Sequence, residues 1–285
     1  MIAIFAGIRA LHLLSLMVIF GGAFFETALR RNVPGLAAPN RAPNLAAAFA
    51  ALASALLWLG LATGQMSGDW TRAIDFSAIR TVLTATRFGN VLCLRLVLLF
   101  LMLPLCALRG GAKTRALVAG CALALISLTG HAAASGPPHF EFIAISNDAI
   151  HLLTAGFWIG GLVLLGVMLA QKTNRAFLMP ILALFSRLGM IAVTLLLMTG
   201  IINALTILLP GPGRVAPVYL TLLGIKIALA LGMIALAVFN RLSLMPRIAD
   251  ARNFGRLRAS IAAEFALGVA TLILVGFLGL LPPTL

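Results

Sequence analysis

Eight long apolar runs constrain this chain more than any other feature of its sequence. A helix needs about 20 consecutive apolar residues to span the hydrocarbon core of a bilayer. We therefore predict an all-α polytopic membrane protein, a bundle of eight transmembrane helices forming a single membrane domain over residues 1–285. The runs lie at residues 3–28, 44–66, 86–108, 115–135, 147–170, 184–209, 218–240 and 258–281.

The composition agrees with this class and argues against two functions. Apolar residues make up 62% of the chain and charged residues only 10%, whereas soluble domains carry about 25% charged residues. The net charge is +14, but the basic residues collect in alternate links, where membrane lipid is the expected partner and nucleic acid is not. The sequence also lacks the glycine-rich phosphate-binding motif of ATP-driven pumps, which argues against a pump of this kind. We further expect that the protein is not an enzyme.

The charges of the links predict the orientation of the bundle. Links 2–3, 4–5 and 6–7 are nearly balanced, whereas the other four are basic. Basic links stay in the cytoplasm, so we predict that both termini are periplasmic in a bacterial inner membrane. The basic links carry Arg30, Arg31 and Arg41; Arg109, Lys113 and Arg115; Lys172 and Arg175; and Arg241, Arg247, Arg252, Arg256 and Arg258.

The four histidines are the candidate metal ligands, because side chains that ionise or bind metals are costly in lipid. His12 lies in the first run, roughly 13 Å deep at the rise of a helix. His131 lies near the outer end of the fourth run, His139 in the link that follows, and His151 about one turn into the fifth run. The predicted orientation places all four in one outer-leaflet layer.

Helical spacing adds polar residues that could support this site or line a pathway from it. His12 and Glu26 share one stripe of the first helix, and Asp148, His151 and Trp158 share one face of the fifth. Asp148 could orient the His151 ring, or it could be the N-cap of the fifth helix.

Further polar and small residues lie in other runs. Asn203 and Lys226 are polar positions of the sixth and seventh runs, and we count them with the pathway. Lys226 and the buried cations Arg9 and Arg95 each require a carboxylate partner, a bound anionic group, a polar cavity or a route by which the charged end snorkels to the interface. The pairs Gly21-Gly22 and Gly160-Gly161 predict close helix packing.

Several blocks of the sequence, taken in order, resemble the copper resistance D (CopD) family of bacterial inner-membrane proteins. They include RALHLLSLMVIFGGAFF in the first run, LTGHAA in the fourth, DAIHLLTAGFWIGGL in the fifth and GIKIALALGMIALAVFNRLSLMP in the seventh. The resemblance implies a role in copper homeostasis, with copper moved from periplasm to cytoplasm. It also implies a small periplasmic copper-binding partner of the CopC type. The ten Met are scattered, which leaves Cu(I) and Cu(II) both open.

The sequence is therefore compatible with three functions, of which we expect the first. In a copper carrier, His12, His131 and His151 would form the outer-leaflet site, with His139 as an entry ligand. In a membrane b-type cytochrome, two of the same histidines would ligate haem iron, and Arg9 or Lys226 would neutralise the haem propionates. In a scaffold, the bundle would help to assemble another membrane complex.

Overall fold

The computed structural model describes residues 1–36, 42–108, 111–130, 138–170, 175–208, 215–248 and 250–282. These residues form nine α-helices: α1 Ile2–Asn32, α2 Ala42–Ser67, α3 Phe76–Ala85, α4 Arg87–Ala107, α5 Ala112–Ala124, α6 Pro138–Ala170, α7 Arg175–Leu208, α8 Pro217–Phe239 and α9 Ala251–Leu278. Short 3₁₀ segments precede α3 at Trp70–Ile74 and extend α5 through Leu125–Thr129. A π-helical turn, Asn240–Leu244, follows α8.

Eight helical segments in the described part of the chain are long and apolar enough to cross a bilayer. They correspond to the eight predicted runs, so the prediction of an all-α polytopic membrane protein is confirmed. The remaining helix, α3, is a short element that was not predicted from the sequence. Its 10 residues are too few to span hydrocarbon.

Two aspartates organise the connection that contains α3. The Asp69 carboxylate accepts a hydrogen bond from the Thr71 amide, and Asp75 caps α3 by accepting one from the Ser77 amide, each at 2.9 Å. Hydrogen bonds from the same two partners hold the pKa of both carboxyl groups below the usual range. The N-cap at Asp75 therefore starts a helix that no hydrophobic run of the sequence predicts.

Helices α6, α7 and α9 begin well before the predicted positions. α6 starts at Pro138, a residue whose fixed φ suits the first turn of a helix. His139 therefore lies in the first turn of α6, and its predicted place in a link is wrong. Asp148 lies inside the helix, so the N-cap alternative for this residue is also wrong. Hydropathy detects the part of a helix inside the hydrocarbon, whereas the helix itself continues until a cap ends it.

Helices α1 and α6 form the centre of the bundle. α1 packs against α2, α5, α6 and α9. In the most apolar 18-residue stretch of α6, 72% of the residues are buried, compared with 11% in the corresponding stretches of α7 and α8. A Cβ atom added to Gly21 would overlap the Gly156 carbonyl oxygen, and one added to Gly160 would overlap the Met17 carbonyl oxygen. The predicted close packing is confirmed at Gly21 and Gly160, where α1 and α6 cross with their backbones in contact.

Candidate metal centre

The His151 ring on α6 faces α7 and has a defined tautomer. Its Nδ1 lies 2.9 Å from Thr199 Oγ1, and the Thr199 hydroxyl donates to the Leu195 carbonyl at 2.6 Å. The shorter contact assigns the single hydroxyl proton to that carbonyl, and we therefore infer that Nδ1 is the donor to Thr199. The neutral ring then carries its lone pair on Nε2, which is the arrangement of a metal-binding histidine oriented through its other nitrogen.

An amide network joins α6 to α7 one turn before His151. Asn147 Nδ2 donates to the Thr199 carbonyl at 3.0 Å and to Asn203 Oδ1 at 2.7 Å. Asn203 Nδ2 donates in turn to Asp148 Oδ1 at 3.4 Å. Thr199 thus makes the contact with the His151 ring that the sequence analysis suggested for Asp148, and Asp148 contacts Asn203.

Lys226 on α8 is the cation of this network. It lies within electrostatic range of both Asp148 and His151, and Tyr219 on the same helix lies near Asp148. A carboxylate near an ammonium group lowers the cost of holding either charge in the membrane. Lys226 thus has a carboxylate neighbour, which is one of the alternatives that the sequence left open for the three cations.

His12 on α1 is fully buried against α2 and α4. Its Nδ1 lies 3.0 Å from both the Ala51 carbonyl oxygen and Ser54 Oγ. A carbonyl oxygen can only accept, so Nδ1 carries the proton and Nε2 the lone pair. That lone pair accepts a hydrogen bond from Arg95 Nη2. A metal ion could bind His12 only after the Arg95 guanidinium had moved away.

Two guanidinium groups, those of Arg9 and Arg95, contact the Trp58 ring. Their Cζ atoms lie 4.9 Å and 5.3 Å from the ring centroid. Arg9 Nη1 also donates at 2.7 Å to the carbonyl of Gly279, which follows the C-terminal end of α9. An aromatic face and a helix C-terminus both attract cations. None of the three ion pairs in the described ranges includes either arginine, so neutral groups stabilise these two charges.

Two buried carboxylates are engaged by hydrogen-bond donors. Glu26 accepts from Arg30 and Arg115, in each case with 2.7 Å between nitrogen and oxygen. Glu264 on α9 accepts from Trp158 Nε1 at 2.6 Å and from Asn240 Nδ2 at 3.3 Å. Trp158 is therefore held by α9, and Glu26 is the counter-ion of two arginines.

Of the four histidines, only His12 and His151 have side chains in the described part of the chain, and these two have different hydrogen-bond partners. His131 lies outside the described residues, and for His139 only the helical backbone is described. The described residues contain no group of three or more His, Cys, Asp or Glu side chains that could hold a metal ion. The hydrogen bonds of His12 go to α2 and α4, whereas His151 bonds to α7. The shared site of His12, His131 and His151 stays a prediction, as does the entry role of His139.

Sequence reasoning missed several of the partners found here, among them Ser54 and Arg115. Ser54 lies in an alanine-rich run, and Arg115 was counted with a basic link although it lies in α5. Neither residue was connected with His12 or Glu26. Each could have been noticed as a polar group near the hydrocarbon. The identity of its partner depends on which helices face each other, which the sequence does not state.

Two family models match the chain and cover most of it. "Copper resistance protein D-like, N-terminal domain" matches residues 1–140, and "Copper resistance protein D" matches residues 179–278. Copper resistance protein D of Pseudomonas syringae pv. tomato is 30% identical over 94% of this chain and 93% of its own length. The chain belongs to the copper resistance protein D family. Inner membrane protein YebZ of Escherichia coli strain K12 is 29% identical over 97% of both chains.

Family membership confirms the resemblance seen in the sequence. Together with the eight apolar helices, it identifies a multi-pass inner-membrane protein of the copper resistance type. The first matched range includes His12, His131 and His139, and the second includes Asn203 and Lys226. None of the matched families and relatives is named as a cytochrome, so the comparisons give the haem alternative no support.

Proposed function

We propose that this member of the copper resistance D family moves copper ions across the inner membrane from the periplasm, through a site that includes His151. The observation that carries the proposal is the contact between His151 Nδ1 and Thr199 Oγ1, from which the tautomer of the ring is inferred. Thr199 holds the Nδ1 proton, and Nε2 keeps its lone pair. Neutral imidazole is a good ligand for copper, which binds nitrogen sites more tightly than the other divalent first-row metals.

We propose that the other histidines supply the remaining ligands of the site. His131 is the candidate second ligand, and His139 in the first turn of α6 is the candidate entry ligand. His12 joins them only if Arg95 releases its Nε2. Imidazole ligands suit Cu(II) at least as well as Cu(I), so the proposal covers both oxidation states.

The polar groups around His151 supply the rest of the proposed pathway. Asp148, Asn203 and Lys226 lie on the three helices α6, α7 and α8. The Asp148 carboxylate and the Asn203 amide oxygen offer weaker contacts to a cation, while the Lys226 ammonium group limits how much positive charge accumulates there. We propose a carrier that is not an enzyme. The flux follows the copper gradient or a coupled ion, and a periplasmic protein of the CopC type delivers the metal.

Fusions to a topology reporter test the orientation on which the proposal depends. The basic links alternate along the chain, so we expect both termini in the periplasm. A reporter active only in the periplasm should be active after Thr284 and inactive at Arg252. The reverse pattern would place the histidines on the cytoplasmic side and contradict uptake from the periplasm.

Alanine variants test the histidine site. If His12, His131 and His151 share one ion, each single replacement should remove most of the copper binding, and a second replacement should add little, because ligands of one ion are not independent. Copper stoichiometry and affinity are measured on the purified protein in detergent, together with an absorption spectrum. Additive losses would indicate separate sites, and a Soret band lost in these variants would indicate haem.

Two further variants extend that measurement, one to the entry ligand and one to the group that orients His151. His139→Ala should have a smaller effect, mainly on copper entry, because His139 lies at the start of α6. Thr199→Val keeps the shape of the side chain but removes the acceptor of the His151 proton. It should weaken copper binding by about 10–100-fold, the usual effect of losing the group that orients a ligand. Full affinity in Thr199→Val would remove the argument from the tautomer.

A further inference from the structure

An apolar groove runs between α1 and α5 on the outside of the bundle. Its volume is about 540 Å³, and Leu153 of α6 contributes to one side. Phe24 and Leu117, which line it, are 45% and 67% exposed. The buried small residues Ala116 and Gly120 also line it. We call this feature the α1–α5 groove.

Two cations lie at one end of the α1–α5 groove. Arg31 is in the last turn of α1 and Lys113 is in the first turn of α5, and both are exposed lining residues. The N-terminus of α5 adds its own positive potential at the same end. The nearby carboxylate Glu26 is already paired with Arg30 and Arg115. The described ion pairs therefore leave this end of the groove positively charged.

The length of the groove matches one leaflet of a bilayer. From Lys113 to Ala124, another lining residue, the chain advances eleven residues along α5 and its 3₁₀ boundary, or about 16 Å at the helical rise. Half of the hydrocarbon core is about 15 Å. A groove of this length would extend from a charged membrane interface to about the middle of a bilayer.

We propose that the α1–α5 groove binds one anionic phospholipid. An acyl chain lies along the apolar lining, and the headgroup phosphate lies between Arg31 and Lys113. Basic residues at the membrane surface attract anionic lipid, and arginine matches the geometry of a phosphate group. Assignment to the inner leaflet rests on the proposed orientation, whereas binding in detergent does not.

Lipid titration of the purified full-length protein tests the headgroup contacts. The probe is phosphatidylglycerol, compared with phosphatidylcholine of the same acyl chains, and bound lipid is counted by native mass spectrometry. Each lost cation should weaken phosphatidylglycerol binding by about fivefold, and Arg31→Gln with Lys113→Gln by about thirtyfold. The matched control is Arg252→Gln with Arg256→Gln, which removes two exposed charges outside the groove and should leave binding unchanged.

Cys121 reports on the acyl chain independently of charge. Cys121 lines the groove and is exposed, whereas Cys106 is buried. Cys93 is the other exposed cysteine, and the experiment therefore uses a Cys93→Ser background. Phosphatidylglycerol should slow alkylation of Cys121 by a small maleimide at least fivefold, and the Arg31→Gln, Lys113→Gln variant should lose this protection. Folding of every variant is checked by monodispersity.

Three results would overturn the proposal. Equal binding of the two lipids would remove the role of the cations. Unchanged alkylation of Cys121 would show that no acyl chain occupies the groove. A lipid-free dimer that protects Cys121 would identify a second copy of the chain as the occupant.

Discussion

Gly160→Ala is expected to prevent stable assembly of the bundle. The added Cβ would overlap the Met17 carbonyl oxygen and approach within 2.8 Å of the Gly21 Cα. These are backbone atoms of α1, so no side chain can move aside, and the two central helices must separate. Overpacking costs up to about 3 kcal/mol, and more when the backbone cannot relax. Thermal unfolding in detergent and the yield of monodisperse protein measure the effect.

Gly166→Ala is the matched control on the same helix. A Cβ at Gly166 has no neighbouring atom within 4 Å, and alanine favours a helix over glycine by about 0.5–1 kcal/mol. We expect Gly166→Ala to be neutral or slightly stabilising. Similar stability of the two variants would contradict a backbone contact between α1 and α6.

Glu26→Gln is expected to have the second large effect on stability. The Glu26 carboxylate is the described counter-ion of Arg115, a residue that is only 1% exposed. Removing one partner of a buried ion pair leaves an uncompensated charge and costs about 3–5 kcal/mol. The midpoint of thermal unfolding should fall, and the double variant Glu26→Gln, Arg115→Met should recover part of the loss because no charge is then stranded.

Glu141→Gln provides the comparison for an ion pair near solvent. Arg87 and Glu141 are 2.6 Å apart, but their side chains are 51% and 27% exposed. Exposed pairs contribute about 0–1 kcal/mol, so this variant should unfold close to the wild-type midpoint. Equal losses in Glu26→Gln and Glu141→Gln would show that burial does not set the strength of the Glu26 pair.

The sequence predicted those features of the fold that depend on a single helix. The thickness of hydrocarbon fixes a length that eight runs satisfy. Helical spacing placed His12 and Glu26 on one stripe of the first helix, and both are buried. Glycine pairs marked a close crossing in the same way. Each of these inferences needs only the geometry of one helix and the chemistry of lipid.

Features that depend on two helices, or on a cap, could not be predicted in the same way. Arg95 was noted as a buried cation, but its partner His12 is 83 residues away. The carboxylate of Glu264 meets Trp158 across a separation of 106 residues. Helix α3 and the early start of α6 depend on Asp75 and Pro138, single residues outside the apolar runs. Periodicity describes which face is buried and does not state what that face meets.

The length of α6 has a mechanical consequence. Its 33 residues extend about 50 Å, beyond the roughly 30 Å of hydrocarbon. The backbones of α6 and α1 are in contact at Gly160, so this contact can serve as a pivot for α6. His151 lies about 13 Å from the pivot and Pro138 about 33 Å. A rotation of α6 about Gly160 would therefore displace the N-terminal end of the helix about two and a half times as far as the His151 ring, and it would strain the Arg87–Glu141 pair near that end.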